Sequence, residues 1–168
     1  MNVWTIRREQ DGDEAAIAQV ITAAFAGEEW SDGSEAAIVN RLRDELELEA
    51  SYVAVTPSGS LVGHIAFSPV AIDGQRFGWY GLAPLAVQPD WQRRGIGGAL
   101  IEAGLEDLRR IDAAGCVVLG EPEYYGRFGF GHDPALAYPG AFVAEYFQRI
   151  VLGGEPPVGT VTYSAAFG

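Results

Sequence analysis

Chemistry in this chain concentrates between Leu85 and Gly98, where an apolar run, Leu85-Ala86-Val87, gives way to Gln88-Pro89-Asp90-Trp91 and then to Gln92-Arg93-Arg94-Gly95-Ile96-Gly97-Gly98. A glycine-rich turn that opens a helix is suited to holding a phosphate. The first N–H groups of a helix have no internal partner, and the helix dipole adds positive potential there. Gly95, Gly97 and Gly98 remove the side chains that would block an approaching anion, and Arg93 and Arg94 supply local cations. A phosphate-bearing cofactor is the expected ligand.

Three motifs compete for these glycines. A P-loop ends in Gly-Lys-Ser/Thr, and Gly97-Gly98-Ala99 lacks both the lysine and the hydroxyl. A dinucleotide fingerprint needs a third glycine where Leu100 stands, and a turn directly after the strand, where a polar loop intervenes instead. The third pattern, Gln/Arg-x-x-Gly-x-Gly/Ala, is matched by Gln92 to Gly97. With the preceding Leu85-Ala86-Val87-x-Pro89 it resembles the acyl-coenzyme A pyrophosphate loop of the GNAT superfamily of N-acetyltransferases. Further on, Glu121-Pro122-Glu123-Tyr124-Tyr125-Gly126-Arg127-Phe128-Gly129-Phe130 is similar to that family's Tyr-x-x-x-Gly-Phe segment, in a form found in a bacterial subgroup of predicted acetyltransferases.

The resemblance implies a GNAT fold, acetyl-CoA as co-substrate without a metal, and direct attack of an amine on the thioester carbonyl. It implies coenzyme binding by Leu85, Ala86, Val87, Gln92, Arg93, Arg94, Gly95, Ile96, Gly97 and Gly98, with a bulge near Leu85 and Val87 that frees backbone groups for the pantetheine arm. Pro84 cannot donate to a ladder, which suits a break in pairing there. Tyr125 matches the family's acid tyrosine. A phenol near pKa ~10 that donates a proton or hydrogen bond can stabilise a thiolate leaving at pKa ~8.5. Packing with Phe128 and Phe130 is the competing role for Tyr125 and the favoured one for Tyr124. Some relatives carry a carboxylate in the motif strand, and Phe77 to Pro84 has none, so the base is unassigned. Glu28, Glu29 and Trp30 fall in the helix–helix loop that in this family borders the acceptor. The two carboxylates either attract a cationic amine or are simply solvated, and Trp30 either lines the pocket or caps the core. A non-catalytic acyl-CoA-binding domain on the same fold is the alternative to an enzyme.

Other reactive residues carry less. His64, between apolar neighbours in a strand, reads as a hydrogen-bonded structural histidine, and His132 has no partner signal. Cys116 heads an apolar run and reads as a small hydrophobe. One cysteine and two histidines cannot form a tetrahedral zinc site without carboxylates, and no Gly-x-Ser-x-Gly or His-Glu-x-x-His appears.

The elements that must position these residues follow from periodicity. Val3–Arg8 alternates as a strand. Asp11 or Asp13 then caps a helix with Ile17, Val20, Ile21, Ala24 and Phe25 at helical spacing, and Ser34 opens a second helix with Ile38, Leu42 and Leu46 on one side. Strands over 52–55, 61–72 and 77–87, separated by Pro57-Ser58-Gly59 and Asp73-Gly74, form an antiparallel meander. A helix over 95–114 ends at Gly115, and the apolar run 116–119 returns parallel to the motif strand. A short helical turn around 124–128, an ambiguous stretch over 141–152 and a last strand over 159–163 complete the chain. The fold class is α/β: a mixed, mostly antiparallel sheet flanked by helices, with a parallel pair splayed at the motif strand.

The 168 residues suit a single domain over 1–168, since ~100–200 residues is usual. With 48% hydrophobic residues the chain has ample surface for a core. Eleven Lys+Arg against 23 Asp+Glu give a net charge of -12, which repels nucleic acid and anionic membranes and favours cationic acceptors by steering. No apolar stretch reaches the ~18 residues of a membrane span. The expected protein is cytoplasmic, monomeric or homodimeric, and acts on a small-molecule or peptide amine.

Overall fold

The structure, a computed structural model, describes residues 3–29 and 31–168. Its centre is a six-stranded sheet in the order β1-β2-β3-β5-β6-β8, in which β1 is Thr5–Arg8, β2 Ala50–Val55, β3 Leu61–Pro69, β5 Trp79–Val87, β6 Gly115–Leu119 and β8 Phe147–Val151. All pairings in it are antiparallel except β5 with β6.

Helix α1 (Glu14–Phe25) buries Ile17, Val20 and Ile21, the i, i+3, i+4 positions of its apolar stripe, against Val53, Ala66 and Ala86. Asp13 sits at its N-cap position, but the Asp13 carboxylate bonds the Arg7 guanidinium at 2.8 Å and the Gln10 N–H at 2.7 Å instead of capping the helix. Helix α2 (Glu35–Asp44) packs on the same face through Val39 and Leu42. The expected partner Leu46 lies beyond the helix end, at positive φ and 92% exposed. Ile38 turns toward a large cavity described below.

On the opposite face, α3 (Ile96–Arg110) buries Ile96, Leu100, Ile101, Leu105 and Leu108. Each fully buried aliphatic side chain contributes ~1.5–3 kcal/mol, which outweighs the ~0.5–1 kcal/mol that each glycine of the first turn costs relative to alanine. The sequence placed the end of this helix at Gly115. The helix instead stops at Arg110, Asp112 takes the left-handed conformation at φ 56, and Gly115 begins β6. Gly115 is needed there for a different reason: a Cβ would stand 2.3 Å from the Trp79 indole.

The expected single strand over 61–72 divides. After Pro69 the chain leaves the main sheet, and β4 (Ala71–Ile72) joins a second sheet in the order β4-β9-β7, with β9 Gly159–Thr162 and β7 Leu136–Ala137. Val70, Ile72, Trp79, Val117, Leu136, Phe147 and Val161 form the core between the sheets. The stretch left ambiguous resolves into a short 3-10 turn, Ala144–Tyr146, and the edge strand β8.

The decisive feature lies in β5. It pairs with β6 only at Trp79↔Gly115, Tyr80↔Cys116 and Gly81↔Val117. Against β3, Leu82 faces Phe67 and Leu85 faces Ile65, so β5 carries one extra residue at Ala83–Pro84. Beyond this bulge β5 continues along β3 while β6 follows β8 and leads into α4 (Pro122–Gly126), so the sheet opens into a V.

Candidate active site

On the α3 side of the V lies a cleft of about 610 Å³. Leu85, Val87, Gln92, Arg93, Gly95, Ile96, Gly97 and Gly98, eight of the ten residues that the family resemblance implies for the coenzyme, line it, joined by Trp91, Tyr124, Arg127 and Phe128. Ala86 and Arg94 do not line it. Ala86 is buried in the α1 core, and the Arg94 guanidinium stacks on the Trp91 ring at 4.7 Å.

Strand register explains the lining. The Gln88 N–H bonds the Val62 carbonyl at 2.9 Å. Backbone groups alternate in direction along an antiparallel strand, so those of Leu85 and Val87 face the open edge that β6 has left. The Val87 carbonyl there accepts a hydrogen bond from Gln92 Nε2 at 3.2 Å, which ties the glycine loop to the strand end. Gly95 takes φ +83, a left-handed turn that starts α3 with its first amides at the cleft. A Cβ on Gly97 would stand 2.6 Å from the Tyr124 hydroxyl, and one on Gly98 would stand 3.2 Å from the Phe128 ring. Arg127 lies over the rings of Tyr124 and Phe128 at 4.7 and 5.7 Å and adds a cation at the rim. The sequence reading passed over Arg127, although its i+3 spacing from Tyr124 was available as a signal.

On the α1/α2 side lies a larger cavity of about 1050 Å³. It shares Leu85, Gln92, Arg93 and Tyr124 with the first cleft, so the two meet where the strands part. Tyr125 lines this cavity and not the first cleft. Its ring is held edge-on against Tyr124 at 5.0 Å and Phe130 at 5.9 Å, and it fits because position 120 is glycine, where a Cβ would come within 2.4 Å of it. Burial, reinforced by Tyr124 and Cys116, pushes the Tyr125 phenol well above its ordinary pKa, so it stays protonated. Tyr124 does more than pack: half-buried, it forms a wall of both spaces and carries its hydroxyl to the first turn of α3.

Glu28 and Glu29 are exposed and are not brought to the large cavity; Glu28 lines a separate pocket of about 240 Å³. Trp30 lies outside the described residues. The carboxylates that do reach the cavity are Glu35, at the start of α2, and Glu121, just before α4, neither of which the sequence reading singled out. Both come from elements distant in sequence from the glycine loop, so local spacing could not find them.

His64 lines neither space. It is fully buried, with Nε2 2.8 Å from the Ser51 hydroxyl, which itself donates to Glu9 at 2.7 Å. That direction puts the imidazole proton on Nε2 and leaves Nδ1 without a partner. Burial lowers its pKa to about 4, so it is a neutral structural residue. Cys116 is buried and its thiol is pushed up by desolvation, and His132 Nδ1 sits 3.0 Å from the Phe147 carbonyl. Among the described residues no group of three or more His, Cys, Asp or Glu converges as metal ligands, and no helix is long and apolar enough to cross a membrane.

Residues 5–132 match the family described as acetyltransferase (GNAT) domain. The chain belongs to the GNAT acetyltransferase family. The Escherichia coli K12 protein described as uncharacterized N-acetyltransferase YhbS is 34% identical over 149 residues, 86% of each chain. A GNAT family acetyltransferase from Brucella melitensis, solved with acetyl-CoA, superimposes with a TM-score of 0.88 at 45% identity over 98% of each chain. Escherichia coli YhbS solved with CoA gives a TM-score of 0.91 at 30% identity, over 99% of this chain and 93% of the other. The GNAT resemblance drawn from the glycine loop and the tyrosine segment therefore holds at the level of family and fold.

Proposed function

We propose that this GNAT protein transfers the acetyl group of acetyl-CoA to an amine by direct attack, with the coenzyme in the α3-side cleft and the acceptor in the α1/α2-side cavity. The observation that carries the reading is the opening between β5 and β6, through which the two spaces meet at Leu85 and Tyr124. The first turn of α3, with Arg93 and Arg127, binds the diphosphate, and the open-edge backbone of Leu85 and Val87 binds the pantetheine arm.

In the reaction the amine nitrogen bonds to the thioester carbonyl carbon, the carbon–sulfur bond breaks, and sulfur leaves with the electron pair. The proton lost by the amine balances the one gained by the thiolate. Because the Tyr125 phenol is raised in pKa, full transfer of its proton to a thiolate of pKa ~8.5 is uphill. Tyr125 therefore acts as a hydrogen-bond donor to the departing sulfur. The substrate ammonium gives one proton, which is released, to solvent or a cavity carboxylate before attack, and the second proton leaves the nitrogen after attack and ends on the thiolate.

A thiol-release assay with acetyl-CoA and an amine panel tests the assignment. Tyr125→Phe should lower kcat by about 100-fold with coenzyme affinity retained. An unchanged kcat would remove Tyr125 from the mechanism, and coenzyme binding without turnover of any amine would leave a binding domain. The chain contains no lysine, so side-chain self-acetylation does not obscure the readout.

A further inference from the structure

The acceptor cavity holds three charged side chains, Glu35, Glu121 and Arg93, of which Arg93 also lines the coenzyme cleft. Glu35 is half-buried and Glu121 exposed, and neither is arranged like most of the buried or half-buried acids of this protein. Glu9, Asp13, Asp107 and Asp133 each hold an arginine. Among the described residues, Glu35 and Glu121 take part in no ion pair, and each is held by a hydroxyl instead. Ser31 Oγ donates to Glu35 at 2.7 and 2.9 Å, and the Tyr146 hydroxyl donates to Glu121 at 3.1 Å. A hydroxyl fixes a carboxylate's direction while leaving its charge uncompensated, and a cation in the cavity would complete it.

The rest of the wall selects what carries that cation. Tyr124, Tyr125, Tyr138, Tyr163 and Phe167 contribute ring surfaces, with aliphatic surface from residues such as Leu82 and Ile38. Rings favour an ammonium or an apolar body over their faces, and they offer few partners to a polyhydroxylated ligand, whose buried hydroxyls would cost ~1–3 kcal/mol each if unpaired. The buried Tyr163 phenol is, like that of Tyr125, raised in pKa by desolvation and stays neutral, so the inner wall adds no further anion to hold a polycation.

We infer that the acceptor is a primary amine carried on a compact apolar or aromatic body, with its ammonium held by Glu35 and Glu121 before deprotonation and attack. This rests on the reading of the larger cavity as the acceptor site. Ser31 and Tyr146 are positioning residues for the two carboxylates.

The test uses the full chain and has two parts. Thiol release with acetyl-CoA should show phenethylamine exceeding spermidine, kanamycin and a lysine-containing peptide at least tenfold in kcat/KM. Glu35→Gln and Glu121→Gln should each raise the KM for phenethylamine at least tenfold and leave the KM for acetyl-CoA in place. Ser31→Ala and Tyr146→Phe should raise it by a smaller factor in the same direction. Calorimetry on CoA-loaded protein should show phenethylamine binding more tightly than 2-phenylethanol, and that preference should vanish in the Glu→Gln variants. Preference for spermidine, kanamycin or the peptide, or equal affinity for the amine and the alcohol, overturns the inference while acetyl transfer stands. If no amine is turned over but phenethylamine still binds in preference to the alcohol, the acetyl-transfer reading fails and the ligand class survives.

Discussion

The two halves of β5 differ in what surrounds them. From Trp79 to Gly81 the strand is paired on both sides, and Trp79 packs so closely that position 115 must be glycine. From Leu82 to Val87 it is paired only to β3, and its other edge borders both the α3-side cleft and the α1/α2-side cavity. One strand thus contains a structural half and a half whose backbone is left to ligands. The break between them is a single extra residue at Ala83–Pro84. A sheet can open in its middle only if the strand that loses a partner is secured elsewhere. Here β3 secures one edge, and α1 covers the face at Ala86.

The sharpest test of this division adds a methyl to the paired half. Gly115→Ala places a Cβ 2.3 Å from the buried Trp79 ring and should cost about 3 kcal/mol, read as a lower denaturant midpoint. Coenzyme affinity of the folded fraction should stay at the wild-type value. A mild effect on stability would show that the paired half tolerates repacking.

Second is acid, because His64 backs the open half opposite Ala86. Its folded pKa is about 4, against 6.5 when unfolded. Between these values the unfolded chain binds the extra proton, so stability is complete above pH 6.5 and falls by about 3 kcal/mol as pH drops to 4. Glu9 adds to the loss at lower pH. Burial alone would raise its pKa, but hydrogen bonds from Arg43 and Ser51 outweigh this and hold it low. Denaturation at pH 7 and pH 4.5 measures the fall, and His64→Gln should flatten it.

Third, Gly97→Val in the open half should cost about 2 kcal/mol of steric interference, or about 30-fold in the Kd of CoA by calorimetry. The melting temperature should fall far less than in Gly115→Ala, because the added Cβ meets the end of the half-buried Tyr124 side chain. Smallest is Gln92→Ala, which releases the Val87 carbonyl and should weaken CoA by about 1 kcal/mol, roughly fivefold. Equal losses of stability and affinity in either variant would erase the distinction between the halves.

The lining of the α3-side cleft was largely legible in the sequence because it is local. A strand, a turn and a helix start within Leu85–Gly98 supply nine of its lining residues, and the exclusion of side chains shows directly as glycine. Arg94 misled because its charge has the right sign and the wrong direction: it stacks on Trp91. The lining of the larger cavity was mostly illegible because it is assembled from α1, α2, β5, β6, α4 and the C-terminal segment. Glu28 and Glu29 are the acids of the expected loop, but it is Glu35, the first residue of α2, that faces inward. In the fold, periodicity located α1, α3 and the meander. It could not show that the chain leaves the main sheet after Pro69, since Val70 and Ile72 continue the apolar run while joining another core. Gly115 was recognised as a required glycine and given the wrong reason, because a helix-ending turn and a close approach by Trp79 both ask for the same residue.

The V in the sheet also gives the molecule two separate entrances, one beside α3 and one between α1, α2 and the C-terminal segment. On the proposed reading, donor and acceptor need not queue at a common door. A compound that tethers an amine to the sulfur of the coenzyme would thread the window at Leu85 and Tyr124 and occupy both halves at once. Its grip should exceed that of either fragment by far more than tenfold, since the second half binds at the effective concentration set by the tether.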